Sequence, residues 1–236
     1  MAPIRRKLAL LTQPTSRSDL TLAVQASLVA SFAGARIETA PYRHWLLSDV
    51  FPAGLTQALR GLPYAVPDLR GVSGKRELHN DQRHYFDAAN MARFDACAAV
   101  ADAFQSRTVT AVIEAVTGAD LRASYVRLEY AQDADGFWLE PHTDLGVKRF
   151  TMLIYLPDGE AQADLGTDLY ADHETWSKRE PFADNTALVF VPSDRTWHGL
   201  ARRTIVGVRK SVIMNYVTAD WRERGQLAYP ETPVRA

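Results

Sequence analysis

With 236 residues and 47% hydrophobic content, the chain is long enough to bury a sizeable core as one domain, since all-β barrels often reach this size undivided. The formal net charge is -1 and the pI near 6.6, with Lys and Arg scattered along the chain, which argues against nucleic acid as a partner. The single cysteine, Cys97, excludes an internal disulfide framework and a thiolate zinc cluster and suits a reducing cytosol, so any metal must use His and carboxylates.

The basic run Arg5-Arg6-Lys7 precedes an apolar LALL stretch that is too short for a signal-peptide core. No stretch is long enough to span a bilayer. The expectation is a cytoplasmic protein with no membrane partner and an open oligomeric state. Over residues 19–32, Leu20, Val24, Leu28 and Phe32 recur at helical spacing, with Ser18 or Asp19 as the cap and Gly34 as the stop. A short helix is expected within 52–62. Residues 63–87 carry Pro63, Pro67, Gly71 and Gly74 and then the polar run KRELHNDQRHYF; they follow neither period and read as a lid-like loop. A longer helical region spans 88–116, breaks near Ser106 and ends at Gly118.

After residue 119 the character changes. The runs YVRLEY, RFTMLIYLP, TDLY, TALVFVP and SVIMNYV are rich in aromatic and β-branched residues and are separated by Gly, Pro, Asp and Asn. The single domain 1–236 therefore divides into a helix-rich region 1–118, a β core 119–218 and a C-terminal tail 219–236. The expected fold is mainly β with helices, a jelly-roll or cupin-like barrel braced by the N-terminal helices.

An iron(II) site that also binds a bidentate co-substrate and oxygen needs three protein ligands on one face, which two His and one carboxylate supply. In His142-Thr143-Asp144 the alternation of an extended chain places His142 and Asp144 on one side. The same pattern recurs at His79-Asn80-Asp81, so context must separate the two. His142 stands at the entry to a strand-rich barrel, whereas His79 lies in the lid-like segment. His198 follows the apolar strand and turn TALVFVPSDRTW and is the natural distal ligand. Arg209 and Ser211 share a face of RKSVIMNYV. A planar guanidinium fork beside a hydroxyl suits the distal carboxylate of 2-oxoglutarate.

Taken together, His142-Thr143-Asp144, Leu153-Ile154-Tyr155-Leu156, Gly166-Thr167-Asp168-Leu169-Tyr170, His198 and Arg209-Lys210-Ser211 resemble the Fe(II)/2-oxoglutarate-dependent oxygenase superfamily, especially its prolyl-hydroxylase-like branch, over roughly residues 122–218. The resemblance implies a double-stranded β-helix, iron on His142, Asp144 and His198, and the 2-oxoglutarate tail on Arg209. It further implies that Tyr155 bonds the same carboxylate and that Tyr130 lies near the iron-chelating end. The co-substrates would be 2-oxoglutarate and O2, the products succinate, CO2 and a hydroxylated or desaturated substrate, with ascorbate as a supporting reductant in vitro. Gly166-Thr167 departs from the two glycines common in the branch. Asp144, where halogenating relatives carry a small residue, favours hydroxylation.

No catalytic residue beyond the metal ligands is expected. Candidates for orienting the substrate are Arg83 and His84 in the lid-like segment, Arg127, Trp138 and Asn215. Arg83 and Arg127 together would favour a small molecule bearing a carboxylate or phosphate. His44 and His173 read as ordinary histidines, and His173-Glu174 lacks the second histidine of a zinc-protease motif. The alternatives are a protein side-chain hydroxylase with the same chemistry, a cupin-like metal-binding barrel without 2-oxoglutarate, and a non-catalytic barrel. Arg209-x-Ser211 argues against the cupin-like reading.

Overall fold

The structure, a computed structural model, describes residues 16–144 and 146–235. The basic run and LALL stretch near the N-terminus lie outside the described residues. Helix α1 (Arg17–Ala33) starts at Ser16, whose hydroxyl accepts the Asp19 backbone N–H at 3.2 Å and donates to the Asp19 carboxylate at 2.8 Å. The cap is therefore Ser16 rather than Ser18 or Asp19, because Asp19 lies three residues on, where its carboxylate meets the cap hydroxyl. Gly34 ends the helix by donating to Ala30 O.

Helix α2 (Leu55–Arg60) falls inside the expected window. The region 88–116 is three helices, α3 (Ala88–Arg93), α4 (Asp95–Gln105) and α5 (Arg107–Thr117). Ser106 makes the anticipated break and caps α5 by accepting the Val109 N–H at 3.2 Å. A second break, at Phe94, has extended backbone and no Gly or Pro to announce it. Among the described residues no helix is long and apolar enough to cross a membrane.

Eleven described strands form two antiparallel sheets. They are β1 (Arg36–Glu38), β2 (His44–Leu47), β3 (His84–Tyr85), β4 (Tyr125–Asp133), β5 (Leu139–His142), β6 (Lys148–Tyr155), β7 (Asp168–Tyr170), β8 (Trp176–Arg179), β9 (Ala187–Phe190), β10 (His198–Leu200) and β11 (Arg209–Val217). The larger sheet has the order β1-β2-β9-β6-β11-β4-β3 and the smaller one β5-β10-β7-β8. This is the mainly β jelly-roll expected, with two corrections in the first half. Strands β1, β2 and β3 come from segments read as helix-rich or lid-like. The segment 63–87 also holds a 3-10 turn, Arg76–Gln82, with His79 buried in it, and is pinned to β4 through β3.

Strand alternation divides the larger sheet into two faces. Outward, Val126, Leu128, Tyr130, Val212, Met214, Tyr216, Phe150 and Met152 join one core with Val24, Leu28 and Phe32 of α1 and with α4 and α5. Each large apolar side chain so buried contributes about 1.5–3 kcal/mol. Inward, Leu153, Tyr155, Leu188 and Phe190 meet Leu165, Leu169, Phe182 and Leu200 from the side of the smaller sheet. The tail packs on β4, with Ala228 N bonded to Val126 O and Val234 N to Ser124 O.

Gly166 explains its own presence. A Cβ there would stand 1.6 Å from the Glu180 carbonyl oxygen, so the chain leading into β7 and the segment after β8 touch without room for a methyl group. Gly166→Ala is expected to destabilise the fold by about 1–3 kcal/mol or more, as overpacking does, read as a lowered urea midpoint. An unchanged midpoint would show that the contact relaxes freely.

Candidate functional site

The site lies at one end of the gap between the sheets, where β5 and β10 face β4, β6 and β11. His142 ends β5, His198 starts β10, and the two pair across the ladder. Asp144 follows two residues after His142, so three potential ligands meet. His142 Nε2 lies 3.9 Å from Asp144 Oδ1 and His198 Nε2 lies 3.9 Å from Asp144 Oδ2. The three ligand atoms all lie within 4.8 Å of one another.

Each histidine is oriented by its own backbone. His142 Nδ1 contacts Glu140 O at 2.9 Å and His198 Nδ1 contacts Thr196 O at 3.0 Å. A carbonyl accepts only, so Nδ1 carries the proton and Nε2 presents its lone pair toward Asp144. Burial pushes the His198 pKa down to about 3, which keeps that lone pair available. Burial would raise the Asp144 pKa, but the Lys148 ammonium holds it below the usual carboxylate range. Lys148 Nζ donates to Asp144 Oδ1 at 2.6 Å and the Thr151 hydroxyl to Oδ2 at 2.7 Å.

Behind Asp144 a chain of bonds runs through the inward face of the larger sheet. Asn215 Nδ2 donates to Thr151 Oγ1 at 3.0 Å, and Arg127 Nη1 donates to Asn215 Oδ1 at 3.0 Å. Arg127 Nη2 reaches Glu129 at 3.0 Å, and Arg83 Nε holds the same carboxylate at 2.9 Å. Burial would raise the Glu129 pKa, but Arg83, Arg127 and Arg76 keep it below the ordinary range. Further along β4, Asp133 takes Arg209 Nη1 at 2.7 Å and Arg76 Nη1 at 2.7 Å. Arg209 Nε donates to Leu165 O at 2.6 Å. Among the described residues its Nη2 has no acceptor, so that nitrogen of the fork is left for a ligand.

These side chains enclose a cavity of about 280 Å³ lined by His142, Asp144, His198, Lys148, Thr151, Thr167, Arg209 and Ser211, with Arg83 and Arg127 at one side. Asn215 supports it from behind through Thr151. Tyr155 faces the same gap but does not line the cavity; its hydroxyl donates to Thr167 Oγ1 at 2.8 Å, and Thr167 takes the lining position. Sequence reasoning passed over Lys148, Thr151, Arg76 and Asp133, and noted Thr167 only as a departure from the motif without giving it a site role.

Three expected residues are elsewhere. Tyr130 points to the outer face of the sheet, paired with Val212 and packed against Tyr64, because it lies an odd number of residues from Arg127. Trp138 lies against Gly74 and under the Arg202 guanidinium, lining a separate depression. His84 stacks on Tyr64 with centroids 4.3 Å apart, outside the cavity. The decoy pair separates as context suggested: His79 Nε2 contacts Val72 O at 3.1 Å, while Asp81 pairs with Arg70. His173 is exposed beside Glu174.

Comparison with solved structures places this architecture. The chain shares the fold of the prolyl 4-hydroxylases. It is 16% identical to the Pseudomonas putida prolyl-4-hydroxylase, covering 83% of this chain and 94% of that one with a TM-score of 0.52. Against a prolyl 4-hydroxylase from Phytophthora capsici it is 17% identical, with 89% and 69% covered and a TM-score of 0.54. A Trichoplax adhaerens prolyl hydroxylase, solved with a hypoxia-inducible-factor peptide fragment, is 15% identical, with 87% and 94% covered and a TM-score of 0.52. No family model matches the sequence, and no curated protein matches it.

Proposed function

We propose that the protein is an Fe(II)- and 2-oxoglutarate-dependent dioxygenase that hydroxylates or desaturates a small, carboxylate-bearing molecule and releases succinate and CO2. The observation that carries this reading is the pair of imidazole Nε2 atoms aimed at one buried carboxylate, in the same cavity as an arginine fork. The donor set fits iron(II): two neutral imidazoles and one carboxylate from one side leave positions for a co-substrate and oxygen. His142, Asp144 and His198 would hold the metal, which supplies the oxidative chemistry when bound with its co-substrate. Arg209, flanked by Ser211 and Thr167, would hold the distal carboxylate of 2-oxoglutarate. Asp133 orients Arg209, and Thr151 orients Asp144.

Arg83 and Arg127 border the cavity but spend most of their donors on Glu129, Asn80, Asn215, Gln226 and Tyr85. Lys148 is the cation that metal binding would release from Asp144, and it would then be available to an anionic substrate. A peptide substrate is the second reading, because a groove lined by Trp221, Arg222 and Gln226 continues outward from His142 and Lys148, and one structure of the same fold was solved with a peptide.

The test is succinate formation from 2-oxoglutarate in the presence of Fe(II), ascorbate and O2. Metal-dependent succinate is expected, and its absence with every metal and substrate tried defeats the reading. Arg209→Lys keeps the charge beside Asp133 but loses the fork. It should raise KM for 2-oxoglutarate by roughly 10–100-fold, the equivalent of one charge-assisted bond, with a smaller change in kcat. An unaltered KM would remove Arg209 from the co-substrate site.

A further inference from the structure

A second cluster stands apart from this cavity, where the β1–β2 hairpin meets the end of β8. His44 on β2 is completely buried, with Nδ1 2.8 Å from Tyr42 O and with no hydrogen-bond partner at Nε2. Glu38 on β1 and Glu180, just beyond β8, face that nitrogen. His44 Nε2 lies 3.7 Å from Glu38 Oε2 and 3.5 Å from Glu180 Oε1. We propose that Glu38, His44 and Glu180 form a structural divalent-cation site that ties the edge of the larger sheet to the edge of the smaller one.

Three observations converge. With Nδ1 donating to the Tyr42 carbonyl, Nε2 carries a lone pair aimed at two carboxylate oxygens; the Lys178 ammonium offsets the charge of the carboxylates but leaves that nitrogen without a partner, which an ion bound among the three would supply. A proton answers it poorly, because 3.5 and 3.7 Å exceed the length of an N–H···O bond. One ion about 2.0–2.2 Å from each ligand places them roughly 3–3.6 Å apart, close to the separations found.

The cluster also repeats the build of the first site. In His142, His198 and His44 alike, Nδ1 bonds the carbonyl two residues earlier. In both sites a lysine holds the carboxylate oxygens an ion would take: Lys148 on Asp144, and Lys178 on Glu38 and, at 2.5 Å, on Glu180. One imidazole with two carboxylates suits a borderline divalent ion such as zinc. Glu180 is in turn fixed by its N–H bond to Thr167 O at 3.0 Å, so the ligand set is braced from both sheets.

The inference does not depend on the dioxygenase reading. The test uses the full chain stripped of metal, titrated with Zn(II) and separately with Co(II), counting bound ions per chain by mass spectrometry after desalting and following Co(II) visible absorption. Wild type should take two ions, an Asp144→Ala/His198→Ala variant one, and that variant with His44→Gln added none. The Asp144→Ala/His198→Ala variant should also gain thermal stability with Zn(II). Zero ions in that double variant overturns the proposal, as does an ion that survives His44→Gln. Should His44→Gln fail to fold by circular dichroism, Glu180→Gln is read in the same way, and a folded Glu180→Gln protein that keeps the ion overturns it too. A wild-type protein that takes no second ion while His44 titrates as an ordinary protonated ion pair in NMR assigns the cluster to a proton instead.

Discussion

Asp144→Ala is expected to lower succinate formation by about a thousandfold or more, roughly 4 kcal/mol of lost transition-state stabilisation. Asp144 is the one anionic member of the triad and the group on which both imidazoles converge. Its removal takes away a ligand and leaves the Lys148 ammonium facing the space the metal would fill. The variant should fold, because Asp144 sits at the mouth of β6 and not within either apolar core. Circular dichroism and a metal titration on the same sample separate loss of metal from loss of fold. A folded variant retaining more than a tenth of wild-type turnover would remove Asp144 from the metal's coordination.

The second large effect concerns stability. Glu129 is 1% exposed and Arg127 2% exposed, with Arg83 closing the cluster from the β3 side. Glu129→Ala leaves Arg127 buried without its counter-charge, which costs about 3–5 kcal/mol, a large share of a total stability of about 5–15 kcal/mol. Urea unfolding should show this as a large drop in midpoint, with a smaller drop for Glu129→Gln, which keeps the shape. Because the folded-state pKa of Glu129 is depressed, its ionic contribution is present above the unfolded carboxyl pKa. It is lost as pH falls through the lower folded value. The gap between wild type and Glu129→Gln should therefore narrow as pH drops below about 4. An unfolding free energy within about 1 kcal/mol of wild type for Glu129→Ala would mean that water already reaches the cluster.

The β half was legible because its runs are rich in aromatic and β-branched residues, and its longest strands also display alternation. Strands β4 and β11 run nine residues each, and the turn residues between strands are Gly, Pro, Asp and Asn. The first half was not, because β1, β2 and β3 have three, four and two residues, too few for a period. Strand β1 pairs only with the neighbouring β2, and the other partners of β2 and β3 lie far along the chain on β9 and β4. The meeting of His142, Asp144 and His198 could be anticipated because ligand chemistry restricts the residue types. The side of each strand followed from parity alone, and there the reading of Tyr130 was inconsistent with that of Arg127, since residues three apart on a strand cannot share a face. Asp133 and Thr151 could have been found by the same parity rule, counted from Arg127 and across to Asn215. Lys148 carried no signal, because a lysine at a strand end is ordinarily solvated.

The most direct test of the central claim is calorimetric titration of 2-oxoglutarate into the protein under argon, with and without Fe(II). The account predicts 1:1 binding that requires the metal and is weakened in Arg209→Lys. Binding of equal strength without Fe(II), or none with it, would contradict a cavity in which two imidazoles, one carboxylate and an arginine fork act on the same co-substrate.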